Sequence, residues 1–203
     1  MTKAVWGAGI RLAGVVSLVL TSVSCGNLAR QGTASSYLVV SELLGESGAD
    51  PGKFGGTLFS DVFTIKDDIP TVFADNARVS LAVAMKDPGP PSSPTSIGAN
   101  NFITLEGYHV RYTRSDGRNR EGVDVPYAFD GSMTFTVTAE RTESFVLVRH
   151  NAKQEAPLAA LIQSPVIIDT HAEITFYGHD QTGRAVSTTA TIFVEFGNFG
   201  DPK

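Results

Sequence analysis

Hydrophobic and polar residues alternate with a period of two in several separate stretches of the chain. The segment ARVSLAVAMKD places its larger apolar side chains on one face and small ones on the other: Val79, Leu81, Val83 and Met85 against Ser80, Ala82 and Ala84. The segment SMTFTVTAE repeats the pattern, with Met133, Phe135, Val137 and Ala139 opposed by threonines. Side chains point alternately to the two faces of a strand, so both segments are predicted to be β-strands.

The longest such pattern lies near the C-terminus and predicts a hairpin over residues 171–196. In its first arm, Ala172, Ile174 and Phe176 share a face. The second arm groups Val186, Ala190, Ile192, Val194 and Phe196. The turn is expected between Asp180 and Gly183. Two arms that are apolar on one side indicate an antiparallel sheet packed on a core.

Three shorter segments are also predicted to be strands: 36–45, 57–65 and 144–149. The last is apolar on both faces, which is typical of a central strand. Between residues 101 and 118, Ile103 and Leu105 have one parity, whereas Tyr108, Val110 and Tyr112 have the other. A switch of parity at Gly107 predicts a β-bulge, since one extra residue reverses the facing of every later side chain.

The remaining segments are predicted to be loops and one short helix. Prolines and small polar residues predict a long surface loop over 87–101. Residues 115–131 form a polar connection with two Asp-Gly turn signals. Leu158, Leu161 and Ile162 have helical spacing within 154–164, and Pro157 suits a first turn. This helix is expected to cap one end of the fold.

Together these elements predict an all-β protein of seven to nine strands with one short helix. The hairpin sequence resembles the last two strands of bacterial immunoglobulin-like domains, with their aromatic-x-small-x-D-x-x-G-x-x-V-T pattern. That resemblance implies an immunoglobulin-like antiparallel β-sandwich. We expect one such domain over residues 36–200, with a tether over 25–35 before it.

The first 24 residues have the layout of an export signal. Lys3 and Arg11 are the only charges, and they precede an apolar or small run from Leu12 to Val23. This run of 12 residues is shorter than the roughly 20 that a helix needs to cross a bilayer. A basic start, a short apolar core and small residues predict a signal helix that is removed on export.

Cys25, the only cysteine in the chain, follows this signal directly. The sequence Ser24-Cys25-Gly26 resembles the lipobox of bacterial lipoproteins, although Ser22 stands where that family prefers leucine. The resemblance implies cleavage between Ser24 and Cys25 and lipidation of Cys25. Gly26, in place of the aspartate that retains enteric lipoproteins at the inner membrane, favours the outer membrane if the host is Gram-negative. The alternatives are an ordinary secretory signal cleaved nearby and a cysteine without a role.

The whole chain also resembles a group of bacterial lipoproteins without an assigned activity, through the segments VRYTRSDGRN, GVDVPYAFDG and ITFYGHDQTGR. The full chain of 203 residues has a net charge of −5. Loss of Lys3 and Arg11 with the leader would move it to −7. An acidic protein without a clustered basic surface has no electrostatic reason to bind nucleic acid, which rewards Lys and Arg.

The sequence contains no arrangement that predicts catalysis or a cofactor. It has no G-x-S-x-G motif, and its four histidines, His109, His150, His171 and His179, are spread along predicted strands. His171 and His179 share a face but are separated by about 26 Å of strand, too far to bind one metal ion together. We therefore expect no catalytic, cofactor or transition-metal site.

Two binding alternatives remain open. Asp116, Asp124 and Asp130 lie in one connection and could supply oxygen ligands to calcium if they converge. Tyr108, Tyr112, Tyr127 and Tyr177 could form an exposed stacking surface for a glycan.

The leading interpretation is a non-catalytic, lipid-anchored protein of the cell envelope that binds a protein partner. If the 87–101 and 115–131 loops lie at the same end of the fold, they would form the contact surface, because loops on such a fold usually carry its binding residues. A freely secreted β-sandwich protein is the remaining alternative.

Overall fold

A computed structural model describes residues 32–199 of the chain. Strands make up most of its regular structure. The strands are β1 (Ser36–Glu46), β2 (Phe54–Gly55), β3 (Thr57–Asp61), β4 (Thr64–Lys66), β5 (Ile69–Thr71), β6 (Asp75–Met85), β7 (Ile103–Thr113), β8 (Phe129–Val137), β9 (Glu140–Val148), β10 (Ile168–Asp180) and β11 (Ala185–Gly197). The helical segments are α1 (His150–Lys153) and two 3₁₀ segments, Ala99–Asn101 and Leu158–Gln163.

Two main sheets form the body of the protein, and the predicted all-β class is confirmed. The first has the strand order β2-β1-β6-β9 and is antiparallel throughout. The second has the order β3-β11-β10-β7-β8. It differs from the predicted antiparallel arrangement at one edge, where β3 runs parallel to β11. A small hairpin, β4-β5, lies between β3 and β6 in the chain.

The core lies between the two sheets and gives the fold a sandwich-like character. Every second residue of β10 is buried, from Ile168 to Asp180. Opposing strands contribute Leu38 from β1 and Val79 and Leu81 from β6, all of which are fully or almost fully buried. One continuous cluster of buried hydrophobic side chains includes residues from both sheets. The alternation in the sequence therefore marks the inward faces correctly.

The predicted C-terminal hairpin is confirmed in strand pairing and turn position. β10 and β11 pair without interruption from Ile168↔Phe196 to His179↔Ala185. The Asp180 carboxylate closes the turn by accepting hydrogen bonds from the backbone N–H groups of Thr182 and Arg184. Gly183 has φ +81°, a left-handed conformation that glycine adopts without a steric penalty.

The predicted bulge at Gly107 is also present. The β7–β8 register shifts between Leu105 and Gly107, and on the other side Tyr177 pairs with Gly107 while Gly178 pairs with Leu105. Glu106 is thus the extra residue. The tyrosines after the bulge consequently face the core, as described below.

Five sequence predictions are wrong in detail. Residues 32–199 contain eleven strands where seven to nine were predicted. The 57–65 segment is divided between β3 and β4, which belong to different sheets. The 144–149 segment lies in β9, an edge strand and not a central one. The 115–131 connection ends earlier than predicted, because β8 begins at Phe129 and its Asp130-Gly131 pair is part of the strand. The 154–164 segment forms a 3₁₀ helix over Leu158–Gln163, with Pro157 at its N-cap and Leu158 and Leu161 buried.

The sandwich has two ends with different connections. The proximal end, where the described chain begins, is formed by residues 32–35, 86–102, 138–139 and 181–184. The distal end is formed by residues 47–53, 62–74, 114–128, 149–167 and 198–199. The 87–101 loop precedes β7 and the loop after β7 follows it, so these two loops lie at opposite ends. The two loops therefore do not form one contact surface.

Candidate functional site

The predicted lipidation and cleavage residues, Ser24 and Cys25, lie outside the described residues, as do the signal segment 1–24 and most of the tether. The described chain begins at Gly32, whose carbonyl oxygen accepts a hydrogen bond from the Lys86 ammonium group. Ser35 and Ser36 are hydrogen-bonded to Asn101. These contacts fix the start of the domain at the proximal end. In residues 32–199 no helix has the length and apolar character needed to span a membrane.

The three aspartates considered for calcium do not converge. Asp116 is held by Arg114 and Arg118, with N···O distances of 2.7 and 2.8 Å. Hydrogen bonds from these two arginines keep the pKa of Asp116 well below its ordinary value.

Asp124 and Asp130 have other partners. Asp124 pairs with Arg120 at 3.1 Å, and Asp130 on β8 contacts His109 at 3.0 Å. Within the described part of the chain, no group of three or more His, Cys, Asp or Glu residues is placed to hold a metal ion. In the loop after β7, Asp116 and Asp124 are therefore paired with arginine side chains.

The tyrosines considered for glycan stacking are divided between core and surface. Tyr108 and Tyr112 are 4% and 2% exposed and pack against aromatic rings of the core, including Phe145 and Phe196. Tyr177 is half-buried, and only Tyr127 of the four, at 49% exposure, is largely in solvent. The four tyrosines therefore do not form one exposed surface, and they do not support the glycan-binding alternative.

Two of the predicted surface tyrosines instead link the sheets. The hydroxyl of Tyr108 donates to the carbonyl oxygen of Val146 at 3.1 Å, and that of Tyr112 donates to the carbonyl oxygen of Leu147 at 2.5 Å. The β6–β9 register shifts at this point, because Val146 pairs with Asn76 and Val148 with Asp75. Leu147 is the extra residue of a bulge, and the tyrosine from the opposite sheet satisfies its carbonyl group.

The four histidines lie apart from one another, consistent with their spacing in the sequence. His109 contacts Asp130, and His179 on β10 lies 3.1 Å from Glu106. Both pairs are on the outer face of the five-stranded sheet and are well exposed. Exposed ion pairs of this kind contribute little to stability.

Exposed apolar side chains concentrate at the distal end. Of the nine large hydrophobic residues that are exposed within residues 32–199, seven lie in distal connections or on β3 beside them: Phe59, Ile65, Ile69, Val123, Tyr127, Val166 and Ile167. The other two are Val39 on β1 and Ile97 in the proximal loop. A contiguous apolar surface usually marks a site of interaction, and the distal end is where these side chains can form one.

A groove of about 680 Å³ opens within this region and is referred to here as the Phe59 groove. Phe54, Phe59 and Phe199 form its aromatic wall, and the rings of Phe59 and Phe199 meet edge to face at 5.9 Å. Asp50 and Lys53, paired at 2.7 Å, lie at its rim and remain exposed. The groove thus combines an apolar wall with a charged border.

A buried ion pair lies beneath the distal end and was not predicted. The Nζ atom of Lys153 on α1 is 2.8 Å from each carboxylate oxygen of Asp75, and both side chains are 0% exposed. Burial raises the pKa of Asp75, although Lys153 and the hydrogen bonds to its carboxylate act in the opposite direction. Nothing in the local pattern around Lys153 distinguishes it from a surface lysine.

Comparison of the chain with protein-family models, curated proteins and solved structures gives no significant match.

Proposed function

We propose that this protein is a lipid-anchored, non-catalytic lipoprotein of the bacterial cell envelope, placed at the outer membrane, whose immunoglobulin-like sandwich binds a protein partner through its distal end. The observation that carries the proposal is the segregation of exposed apolar side chains to the end opposite the one where residue 32 begins the domain. The immunoglobulin-like assignment is supported by the two stacked sheets and the long C-terminal hairpin.

The geometry of the chain supports an outward-facing distal end. From Cys25 to Gly32 the chain advances by seven residues (32 − 25), which span at most about 25 Å when fully extended. A strand of 11 residues such as β1 is about 36 Å long. A lipid on Cys25 would keep the proximal end beside the membrane, and the tether is too short to run the length of β1 and cover the Phe59 groove.

The surface at the distal end fits a protein partner better than a small polar ligand. Protein interfaces combine apolar and aromatic residues at the centre with a polar rim. Phe59 is 54% exposed beside Phe199, while Asp50 and Lys53 border the same groove. We expect the partner to contribute an apolar or aromatic side chain to this groove, since buried aromatic anchors dominate the energy of most interfaces.

The lipid anchor is tested by intact mass spectrometry of the protein expressed with its own leader. We expect loss of residues 1–24 and an added acyl mass that disappears in a Cys25→Ala variant. An unmodified chain, or one cleaved elsewhere without lipid, would support the freely secreted alternative and remove the anchor from the proposal.

The partner surface is tested by site-specific photo-crosslinking in the native host. A photoreactive residue at position 59 is compared with one at position 97, since Ile97 is also apolar and exposed but lies at the proximal end. We expect one discrete adduct from position 59 and none of the same mass from position 97. Equal labelling from both positions would contradict a distal binding surface.

A second variant controls for changes in the fold. Phe59→Ser is expected to leave the unfolding midpoint nearly unchanged, because the side chain is largely exposed. It should also remove the adduct formed from another exposed distal position such as Ile69. Retention of that adduct would show that Phe59 is not part of the interface.

A further inference from the structure

The buried Lys153–Asp75 pair is a bidentate contact between two groups that are both fully excluded from solvent. Lys153 Nζ is 2.8 Å from both Oδ1 and Oδ2 of Asp75, so the nitrogen lies against the carboxyl group itself. Asp75 begins β6 and Lys153 ends α1, and the two are separated by 78 positions in the chain. Both side chains are excluded from solvent.

Each oxygen of the Asp75 carboxyl group accepts a hydrogen bond from a different donor besides Lys153. The backbone N–H of Gly48 donates to Oδ1 at 2.9 Å, and the Ser60 hydroxyl donates to Oδ2 at 2.6 Å. The carbonyl oxygen of Asp61 accepts a hydrogen bond from Lys153 Nζ at 2.7 Å. The same amine therefore contacts the Asp61 carbonyl oxygen and the Asp75 carboxyl group at once.

Burial favours the neutral form of the Asp75 carboxyl group. Removing an ammonium and a carboxylate from water carries a large desolvation cost, which their mutual attraction offsets only in part. Transfer of one proton from Nζ to the carboxylate removes both charges and leaves an amine beside a carboxylic acid. The raised pKa of Asp75 acts in this direction. An uncharged amine next to an uncharged carboxyl group is the reactive combination for amide formation.

We propose that Lys153 and Asp75 condense to an intramolecular isopeptide bond. After the proton transfer, the lone pair of Nζ attacks Cγ of Asp75 and forms the N–C bond. A second proton passes from the nitrogen to the hydroxyl on Oδ2, the Cγ–Oδ2 bond breaks, and one water leaves. The ammonium and the carboxylate are thus converted to one amide and one water, without an oxidant, a reductant or a further reactant.

The surrounding groups have defined parts in this step. Oδ1 becomes the amide oxygen, and the Gly48 N–H stabilises the negative charge that develops on it during attack. The Ser60 hydroxyl lies within hydrogen-bond distance of Oδ2 and can relay the proton to the departing oxygen. Because both reactants are held in contact by the fold, the reaction is intramolecular and gains the rate advantage of fixed orientation.

The bond would join the distal ends of β6 and α1 covalently. Cross-links that close long loops stabilise a fold mainly by restricting its unfolded chain. A chain with a single cysteine cannot obtain this restriction from an internal disulfide. The inference is independent of the proposed lipid anchor and partner surface.

The test is mass spectrometry of the purified full chain under denaturing conditions, followed by digestion with trypsin. The intact mass should fall below that of the processed sequence by one water. Trypsin should not cleave after an acylated Lys153, so residues 67–78 should appear joined to residues 150–184 in one branched peptide. The branched peptide distinguishes the cross-link from succinimide formation at Asp116-Gly117 or Asp130-Gly131, which removes the same mass.

The matched control is Lys153→Arg, which keeps the positive charge but lacks a nucleophilic amine. Its mass should equal that calculated for the processed variant sequence with no loss of water, and peptide 67–78 should be recovered in linear form. Ser60→Ala should slow condensation and leave a measurable uncondensed fraction. Recovery of linear peptides 67–78 and 150–153 in full from the folded native protein would overturn the proposal, whatever the variants do, and would identify the contact as an ion pair only.

Discussion

Replacing Tyr112 with phenylalanine should destabilise the protein more than the same change at Tyr108. Each substitution removes one hydroxyl and keeps the aromatic ring, so neither leaves a large cavity. The Tyr112 hydroxyl is the partner of the Leu147 carbonyl group, which lies at a bulge in a residue that is 0% exposed. A buried acceptor left without a partner costs about 1–3 kcal/mol.

The cost at Tyr108 is expected to be smaller. Its hydroxyl donates to Val146 over a longer distance, 3.1 Å, and Val146 is half-buried on an edge strand. Water can therefore replace the lost donor, and the net contribution of such a hydrogen bond is about 0.5–1.5 kcal/mol. We expect decreases in the free energy of unfolding of about 2 kcal/mol for Tyr112→Phe and about 1 kcal/mol for Tyr108→Phe.

Urea denaturation followed by circular dichroism measures this difference. With a slope of about 2 kcal/mol per molar urea, the midpoints should fall by about 1 M and about 0.5 M respectively. Tyr127→Phe is the matched control, because Tyr127 is 49% exposed, and its midpoint should shift by less than about 0.25 M. If the urea midpoints of Tyr108→Phe and Tyr112→Phe fell no more than that of Tyr127→Phe, the role of these hydroxyls in joining the sheets would be refuted.

Three further predictions concern backbone and pH. Gly131→Ala should lower the free energy of unfolding by about 1–3 kcal/mol, because its Cβ would meet the buried ring of Tyr108 at 2.1 Å; an unchanged melting temperature would contradict this packing. Gly183→Ala should cost about 1 kcal/mol in the same assay, since its φ is +81°, and a stabilised variant would exclude the turn geometry described. Burial raises the pKa values of Tyr108 and Tyr112, so the stability they contribute is complete below the ordinary tyrosine pKa of about 10 and is lost as pH rises above it. Tyrosinate absorbance and circular dichroism, recorded together, should show these two residues ionising only as the protein unfolds; ionisation of all tyrosines before unfolding would contradict their burial.

The sequence predicts well those elements that depend only on residues close together along the chain. The alternation of β6 and β8, the C-terminal hairpin with its turn after Asp180, and the bulge at Gly107 all agree with the structure. Each depends on a local rule, since a side chain's face in a strand follows from its parity and a turn from a few adjacent residues. The leader, the lipidation at Cys25 and the tether remain predictions from sequence, because they lie outside the described residues.

The candidate sites depended on contacts between distant segments and were mostly missed. Parity after the bulge placed Tyr108 and Tyr112 on one face, but whether that face was buried depended on the opposite sheet. The apolar character of 144–149 suggested a central strand, yet β9 lies at the edge of its sheet. The carbonyl groups at its bulge accept hydrogen bonds from the hydroxyls of those two tyrosines. Strand order follows from how the sheets assemble, which local periodicity does not encode.

By itself, the sequence determined most of the long strands, the turn of the C-terminal hairpin and which faces of these strands are apolar. Tertiary structure alone decided that the 87–101 and 115–131 loops lie at opposite ends, that apolar side chains gather at the distal end, and that Lys153 meets Asp75. The physical reason is that a strand's periodicity arises from bonds between successive residues. Burial, charge pairing and reactivity arise from groups brought together across many tens of residues, and only the packed fold defines those neighbours.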